Sequence, residues 1–204
     1  MTSVLIIGGG GMIGQKLASS FSTNDSLTLL DIGFPNKNQS NARKIIGSVG
    51  DPEIIENSLK DLPEVIYYLA SVVSGEAEAD FSKGWDVNIH AFWAFLSLVK
   101  KLNEKSQGQY KPKIIFTSSI AVFGSPFPNQ IPDDFIAAPR TSYGAQKASC
   151  ELMLNDFSRK GFCEGLAIRL PTICVRPGKP NLAASSFFSG IIREPLSGIN
   201  AQLP

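Results

Sequence analysis

A cluster of glycines constrains this chain more than anything else in it. Residues 4–7 (Val-Leu-Ile-Ile) form a continuous apolar run, and Gly8-Gly9-Gly10-Gly11-Met12-Ile13-Gly14 follows at once. An apolar run without alternation reads as a strand covered on both faces. Glycines between such a strand and a helix let the backbone approach a pyrophosphate where a Cβ would block it, and the helix N-terminus adds N–H donors and positive potential. The context therefore points to a dinucleotide-binding turn. Two registers fit, Gly9-x-Gly11-x-x-Gly14 and Gly8-x-x-Gly11-x-x-Gly14, and the glycines alone do not separate them.

The same theme then recurs. Strands are expected at 4–7, 27–31, 44–46, 65–69, 114–117 and 165–170, and helices at 12–21, 52–60, 85–101 and 143–160. Strand–helix alternation gives an α/β fold with a parallel sheet, and right-handed crossovers make it a Rossmann-type, doubly wound sheet of order 3-2-1-4-5-6. Residues 1–170 read as the nucleotide-binding domain. Residues 171–204 carry Pro171, Pro177, Pro180 and Pro195 and no clean alternating pattern. Residues 121–140 hold Pro126, Pro128, Pro132 and Pro139. A loop of that length inside a compact domain is usually functional. Asp133 and Asp134, after Pro132, read as turn formers rather than as a carboxylate pair.

Composition narrows the function classes. With 204 residues, 43% apolar and 18% charged, the chain is suited to one well-buried domain and not to a disordered segment. A net charge of +1 provides no general field for nucleic acid or for an anionic membrane surface. No apolar run approaches the roughly 20 residues that span a bilayer. The strand-like run follows Met1-Thr2-Ser3 directly, with no secretory leader visible, so a cytoplasmic protein is expected. Cys150, Cys163 and Cys174 form no CxxC pair and read as reduced, buried thiols. The single histidine, His90, has no cysteine near it in sequence, so no metal site is expected. His90 reads as a helix-surface residue, and Cys150 as a packing residue.

Chemistry enters at three places. Asp31, seventeen residues beyond Gly14, ends the second strand. A carboxylate there accepts hydrogen bonds from adenosine ribose hydroxyls and repels a 2′-phosphate. Neither Gly33 nor Phe34 offers a cation to such a phosphate, while Lys37 and Arg43 sit in the polar loop that follows, so NAD is favoured over NADP. The alternative for Asp31 is a simple strand-end turn. Ser118-Ser119 lies at the carboxyl end of the fifth strand, where ligands bind in open sheets. Tyr143 and Lys147 are one helical turn apart and share a face. A tyrosine of ordinary pKa about 10 is a poor base at neutral pH. An ammonium about 4 Å from the phenolate contributes roughly 4 kcal/mol, or about three pKa units, before desolvation takes part of it back. That pairing makes the tyrosine a usable general base.

Taken in order, Gly8/Gly11/Gly14, Asp31, Gly50-Asp51, Leu69-Ala70-Ser71, Asn88, the Ser-Ser-Ile-Ala-Val-Phe-Gly run at 118–124 and Tyr143/Lys147 resemble the extended short-chain dehydrogenases/reductases, the NAD-dependent epimerase/dehydratase family. The resemblance covers essentially the whole chain, and it implies that residues 171–204 are the start of a substrate-binding lobe that is largely missing. Within that family, the 169–195 segment is similar to enzymes that oxidise the 2-hydroxyl of a four-carbon aldonic acid such as D-erythronate. It implies NAD as cofactor, held by Gly8, Gly11, Met12, Ile13, Asp31, Asp51 at the adenine, Leu69, Ala70, Ser71, Asn88, Tyr143, Lys147 and Pro171. It implies Tyr143 as base, Lys147 on the nicotinamide ribose and Ser119 on the reacting oxygen. Ser74 with Gly75, and Arg176, are the candidates for the substrate carboxylate. Phe123 stands where many members have tyrosine and reads as packing. The family also implies a homodimer through the 85–101 and 143–160 helices, for which Trp93 and Leu98 are surplus apolar residues. Two rivals use the same framework: a nucleotide-sugar epimerase that retains its NAD, and a catalytically silent NAD-binding scaffold.

Overall fold

The computed structural model describes residues 2–35, 42–132, 134–178 and 182–202. Lys37, Asp133 and, within the 169–195 segment, residues 179–181 with Pro180 lie outside the described residues. The six strands are β1 (Ser3–Ile7), β2 (Ser26–Asp31), β3 (Arg43–Ile46), β4 (Val65–Tyr68), β5 (Lys113–Ser119) and β6 (Glu164–Leu170). They form one sheet in the order β3-β2-β1-β4-β5-β6, every neighbouring pair parallel, as the alternation predicts.

Helices α1 (Met12–Ala18), α2 (Pro52–Leu59), α3 (Ser74–Ala79), α4 (Phe81–Trp85), α5 (Ala91–Lys105), α6 (Ser142–Arg159) and α7 (Phe187–Leu196) connect or follow the strands. The near-continuous apolar run of β1 is explained by its two faces. Leu5 and Ile7 join the large core with Ile55 and Leu59 of α2, Phe92, Phe95 and Val99 of α5, and Leu154 of α6. Val4 and Ile6 instead join a smaller core with Ala18 of α1 and Leu29. At the β6 edge Leu166 and Ile168 remain 56% and 42% exposed. 

Several elements go beyond the sequence reading. The helix expected at 85–101 begins earlier, as α4, and runs through a π-helical turn (Asp86–His90) into α5. Helix α7 was hidden by the prolines around it, one of which, Pro195, lies inside its last turn. The described residues among 123–140 are irregular, preceded by a 3-10 turn (Ile120–Val122), and Phe135 closes a turn on the Pro132 carbonyl at 3.1 Å, with Asp134 inside it. Cys150 and Cys163 are buried, but Cys174 is exposed, a correction: it sits on the segment leaving the sheet edge, where no element covers it. Leu98 packs against the large core. Trp93 is 53% exposed, its ring edge-on to Phe157 at 5.7 Å. Among the described residues, no helix is long and apolar enough to cross a membrane.

Candidate active site

The glycine turn is held from below. The N–H groups of Gly8 and Gly9 both donate to the Leu30 carbonyl, at 2.8 and 3.0 Å. Gly8 has φ +91°, and a Cβ there would lie 2.8 Å from the Ala70 nitrogen. A Cβ on Gly14 would lie 2.3 Å from the Gly8 carbonyl, so this position sets how closely α1 can pack on β1. Gly11 borders the cleft, whereas Gly9 is turned away against Leu29. The geometry thus favours the Gly8-x-x-Gly11-x-x-Gly14 register.

A cleft of about 1110 Å³ opens at the carboxyl ends of the strands, lined at one end by Gly8, Gly11, Met12, Ile13 and Asp31. The cradle is made of backbone that side chains would fill, with an acid at its rim, which suits a dinucleotide. The Asp31 carboxylate accepts from the Gly10 N–H at 2.9 Å and, more weakly, from the Gly33 N–H at 3.4 Å, so it is aimed at the turn rather than left as a loose strand end. Arg43 is occupied elsewhere, on Asp61 at 2.7 Å and Asn57 at 2.8 Å.

Two expected cofactor contacts, Asp51 and Asn88, are not among the residues that line the cleft. Asp51 caps α2, its carboxylate accepting from the Glu53 N–H at 3.0 Å. Gly47, Ser48 and Val49 line the cleft there instead. They follow β3 directly, and the rule that ligands sit beyond strand carboxyl ends would have selected them. Asn88 is buried and works inside the fold. Its side chain bonds the Val72 N–H at 2.9 Å, the Val72 carbonyl at 3.3 Å and the Gln146 side chain at 2.7 Å. It pins the turn after β4 to α6.

Leu69, Ala70, Ser71, Ser119, Tyr143, Lys147 and Pro171 all line the same cleft. Thr141 caps α6 by accepting from Gly144 at 3.0 Å, and Glu78 of α3 accepts from the Ser142 N–H, so the start of α6 is doubly held beside Tyr143. The Ser119 hydroxyl accepts from the Ala121 N–H at 3.1 Å, which turns the chain at the end of β5. The Lys147 ammonium donates to the Thr117 carbonyl at 2.9 Å and lies 4.7 Å from the Phe116 ring centroid and 5.5 Å from that of Tyr143. Burial depresses Lys147 to about 8. Burial also pushes the Tyr143 phenol up, and a side-chain hydrogen bond with Ser71 pulls it partly back. This differs from the lowered tyrosine expected from sequence, because desolvation of the phenol outweighs an ammonium that is itself desolvated and committed to Thr117.

Ser74 and Arg176 also border the cleft, joined by residues that sequence reasoning missed, among them Thr172, Ser185, Ser186 and Ser189. The Ser74 hydroxyl accepts from the Ala184 N–H at 2.9 Å, tying this strap to α3. Arg176 is gripped by its backbone: its N–H donates to the Ser189 hydroxyl at 2.9 Å, and its carbonyl accepts from Arg193 at 2.7 Å. Phe123 is more than packing. It lines the cleft and carries the Arg169 guanidinium 4.9 Å from its ring centroid. His90 is exposed and 3.0 Å from Asp86, away from the cleft lining.

Residues 4–202 match the model of the NAD dependent epimerase/dehydratase family. The chain belongs to that family. Among curated relatives of this epimerase/dehydratase chain are the D-erythronate dehydrogenases of Cupriavidus necator, 43% identical over 99% of the chain, and of Haemophilus influenzae, 41% identical over 98%. The chain spans 64% of the length of each. Among solved structures, a nucleoside-diphosphate-sugar epimerase from Agrobacterium tumefaciens superposes with a TM-score of 0.87 at 46% identity, covering 100% of this chain and 62% of that one. A Thermus thermophilus UDP-glucose 4-epimerase solved with NAD has a TM-score of 0.84 at 18% identity, covers 98% of this chain and 64% of that one, and shares the fold. The cofactor of the family is NAD, in keeping with the glycine cradle and Asp31.

Proposed function

We propose that this chain belongs to an NAD-dependent dehydrogenase that oxidises the 2-hydroxyl of a small aldonic acid, D-erythronate being the first candidate. The observation that carries this reading is the convergence of Tyr143, Lys147 and Ser119 on the cleft that begins at the glycine turn. The names of the two relatives above 40% identity supply the substrate class. NAD, held along Gly8, Gly11, Met12, Ile13, Asp31 and residues 69–71, supplies the acceptor for the hydride of the substrate carbon.

The chain's own residues handle the proton and the charge. Tyr143 as phenolate takes the hydroxyl proton. Ser119 donates to the reacting oxygen and holds it as its charge changes. Lys147, fixed by Thr117, favours the ionised phenol and reaches the nicotinamide ribose. Arg176 pairs with the substrate carboxylate in a two-pronged contact. Its guanidinium has no hydrogen-bond partner among the described residues, and it borders the cleft. Residues from 171 onward serve as the opening of the substrate-binding lobe. The exposed Trp93 and Leu152, on α5 and α6, support a homodimer through those helices.

The test is a spectrophotometric screen of aldonic acids with NAD, run on this chain and on one extended to the length of its relatives. Net NADH formation with a four-carbon acid is the expected result. Turnover of nucleotide sugars alone, without net NADH, would replace this reading with an epimerase. Tight NAD binding without any turnover in the extended chain would leave a scaffold.

A further inference from the structure

One half-buried carboxylate joins the elements that carry the proposed catalytic groups. Glu151 lies on α6, one turn beyond Lys147 and two beyond Tyr143. It accepts a hydrogen bond from the Ser118 hydroxyl on β5, and it forks with Arg169 on β6, at 3.0 Å from Nε to Oε1 and 2.8 Å from Nη2 to Oε2. The side chain of Glu151 is 14% exposed and that of Arg169 31%. Sheet register explains the meeting. Ser118 pairs with Arg169, so the two side chains share a face, the one that α6 covers.

Each anchor adjoins a residue of the proposed site. Ser118 precedes Ser119, Arg169 stands two residues before Pro171, and Arg169 also lies over Phe123 in the cleft wall. A two-pronged, charge-assisted contact resists both sliding and rotation, which a single bond does not. We propose that Glu151, through Ser118 and Arg169, is a positioning residue that fixes the distance between the Ser119 hydroxyl and the Tyr143 phenol. It touches neither substrate nor cofactor. This rests on the proposed reading of Tyr143 and Ser119 as the reacting pair.

The test compares wild type with Glu151→Gln and Ser118→Ala. Glutamine keeps the shape and an acceptor oxygen but removes the charge that holds Arg169. A displacement near 1 Å costs about 100-fold in rate, so kcat per NAD-binding site should fall by about tenfold to 100-fold in Glu151→Gln, with NAD affinity unchanged. Deuterium at the substrate C2 should show a larger primary isotope effect on kcat in the variant, because hydride transfer becomes the slow step. Loss of folded protein lowers kcat without that signature. Unchanged kcat per site and unchanged isotope effect would overturn the proposal. Backbone hydrogen exchange reads the weld without turnover: in Glu151→Gln residues 118–121 and 143–147 should exchange faster together, while β1 and β2 keep their protection. If both segments keep wild-type protection, the proposal fails even where no acid is oxidised, so its failure is separable from that of the functional reading.

Discussion

The ammonium of Lys147 lies 5.5 Å from the centre of the Tyr143 ring and spends a hydrogen bond on the Thr117 carbonyl at 2.9 Å. The lysine is therefore a fixed charge rather than a swinging one. Lys147 is buried and Tyr143 partly so, and burial drives their affinities for the proton in opposite directions: the phenol upward, the ammonium downward to about 8. Five expectations follow from this cleft.

Tyr143→Phe removes only the phenolic oxygen. Turnover should fall by at least the roughly 10²- to 10⁴-fold that general base catalysis supplies, while NAD affinity stays near that of wild type. Single-turnover kinetics beside a fluorescence titration with NAD measures both, and comparable turnover would exclude Tyr143 as base.

Burial raises the Tyr143 phenol, so its ionised form gains population only as pH climbs well into the alkaline range. In the oxidation direction kcat/KM should climb through the alkaline range and the climb should vanish in Tyr143→Phe. A profile that is flat from about pH 7 upward would assign the proton to another group.

Lys147 is depressed from 10.5 to about 8 in the folded chain. The unfolded chain then binds the extra proton between those values, so stability gains from this group as pH rises through that window. Below about 8 the cost of burying the charge is fully present. Lys147→Met should raise the thermal midpoint near neutral pH, with an advantage that shrinks as pH approaches 10.5, even though catalysis is lost. Calorimetry across pH checks this, and a constant difference would mean that the lysine is not buried as a cation.

Asp31 accepts from Gly10 and faces the cleft. Asp31→Ser should weaken NAD by roughly tenfold or more, the size of losing a charged acceptor, and narrow the preference over NADP. Dissociation constants for both cofactors decide it; an unchanged ratio would place the ribose elsewhere.

Gly14→Ala would put a methyl 2.3 Å from the Gly8 carbonyl. Relieving that clash requires α1 to lift from β1, at about 1–3 kcal/mol of stability, with loss of NAD binding. Equilibrium denaturation and titration report the two effects separately.

Much of this molecule could be read from local pattern. The order of six strands follows from alternation and crossover handedness, and a continuous apolar run announces a strand with two buried faces. The glycine turn, Asp31 and the Tyr143/Lys147 spacing were legible because each is a short stretch whose geometry is set by its own backbone. Asp51 and Asn88 show the limit. Both match a family pattern, but the pattern does not tell that one caps a helix and the other braces a loop against Gln146, because a side chain's contacts depend on which neighbour it meets.

Nothing in the amino-acid order revealed that Glu151, Ser118 and Arg169 meet, or that α7 grips Arg176 from both sides. Those contacts join residues up to 33 positions apart and exist only once the elements that carry them pack together. Local periodicity carries backbone conformation, since that is governed by sterics within a few residues. The ionisation of Tyr143 is different, because desolvation sums over every element that encloses the cleft, and no spacing of letters encodes that sum.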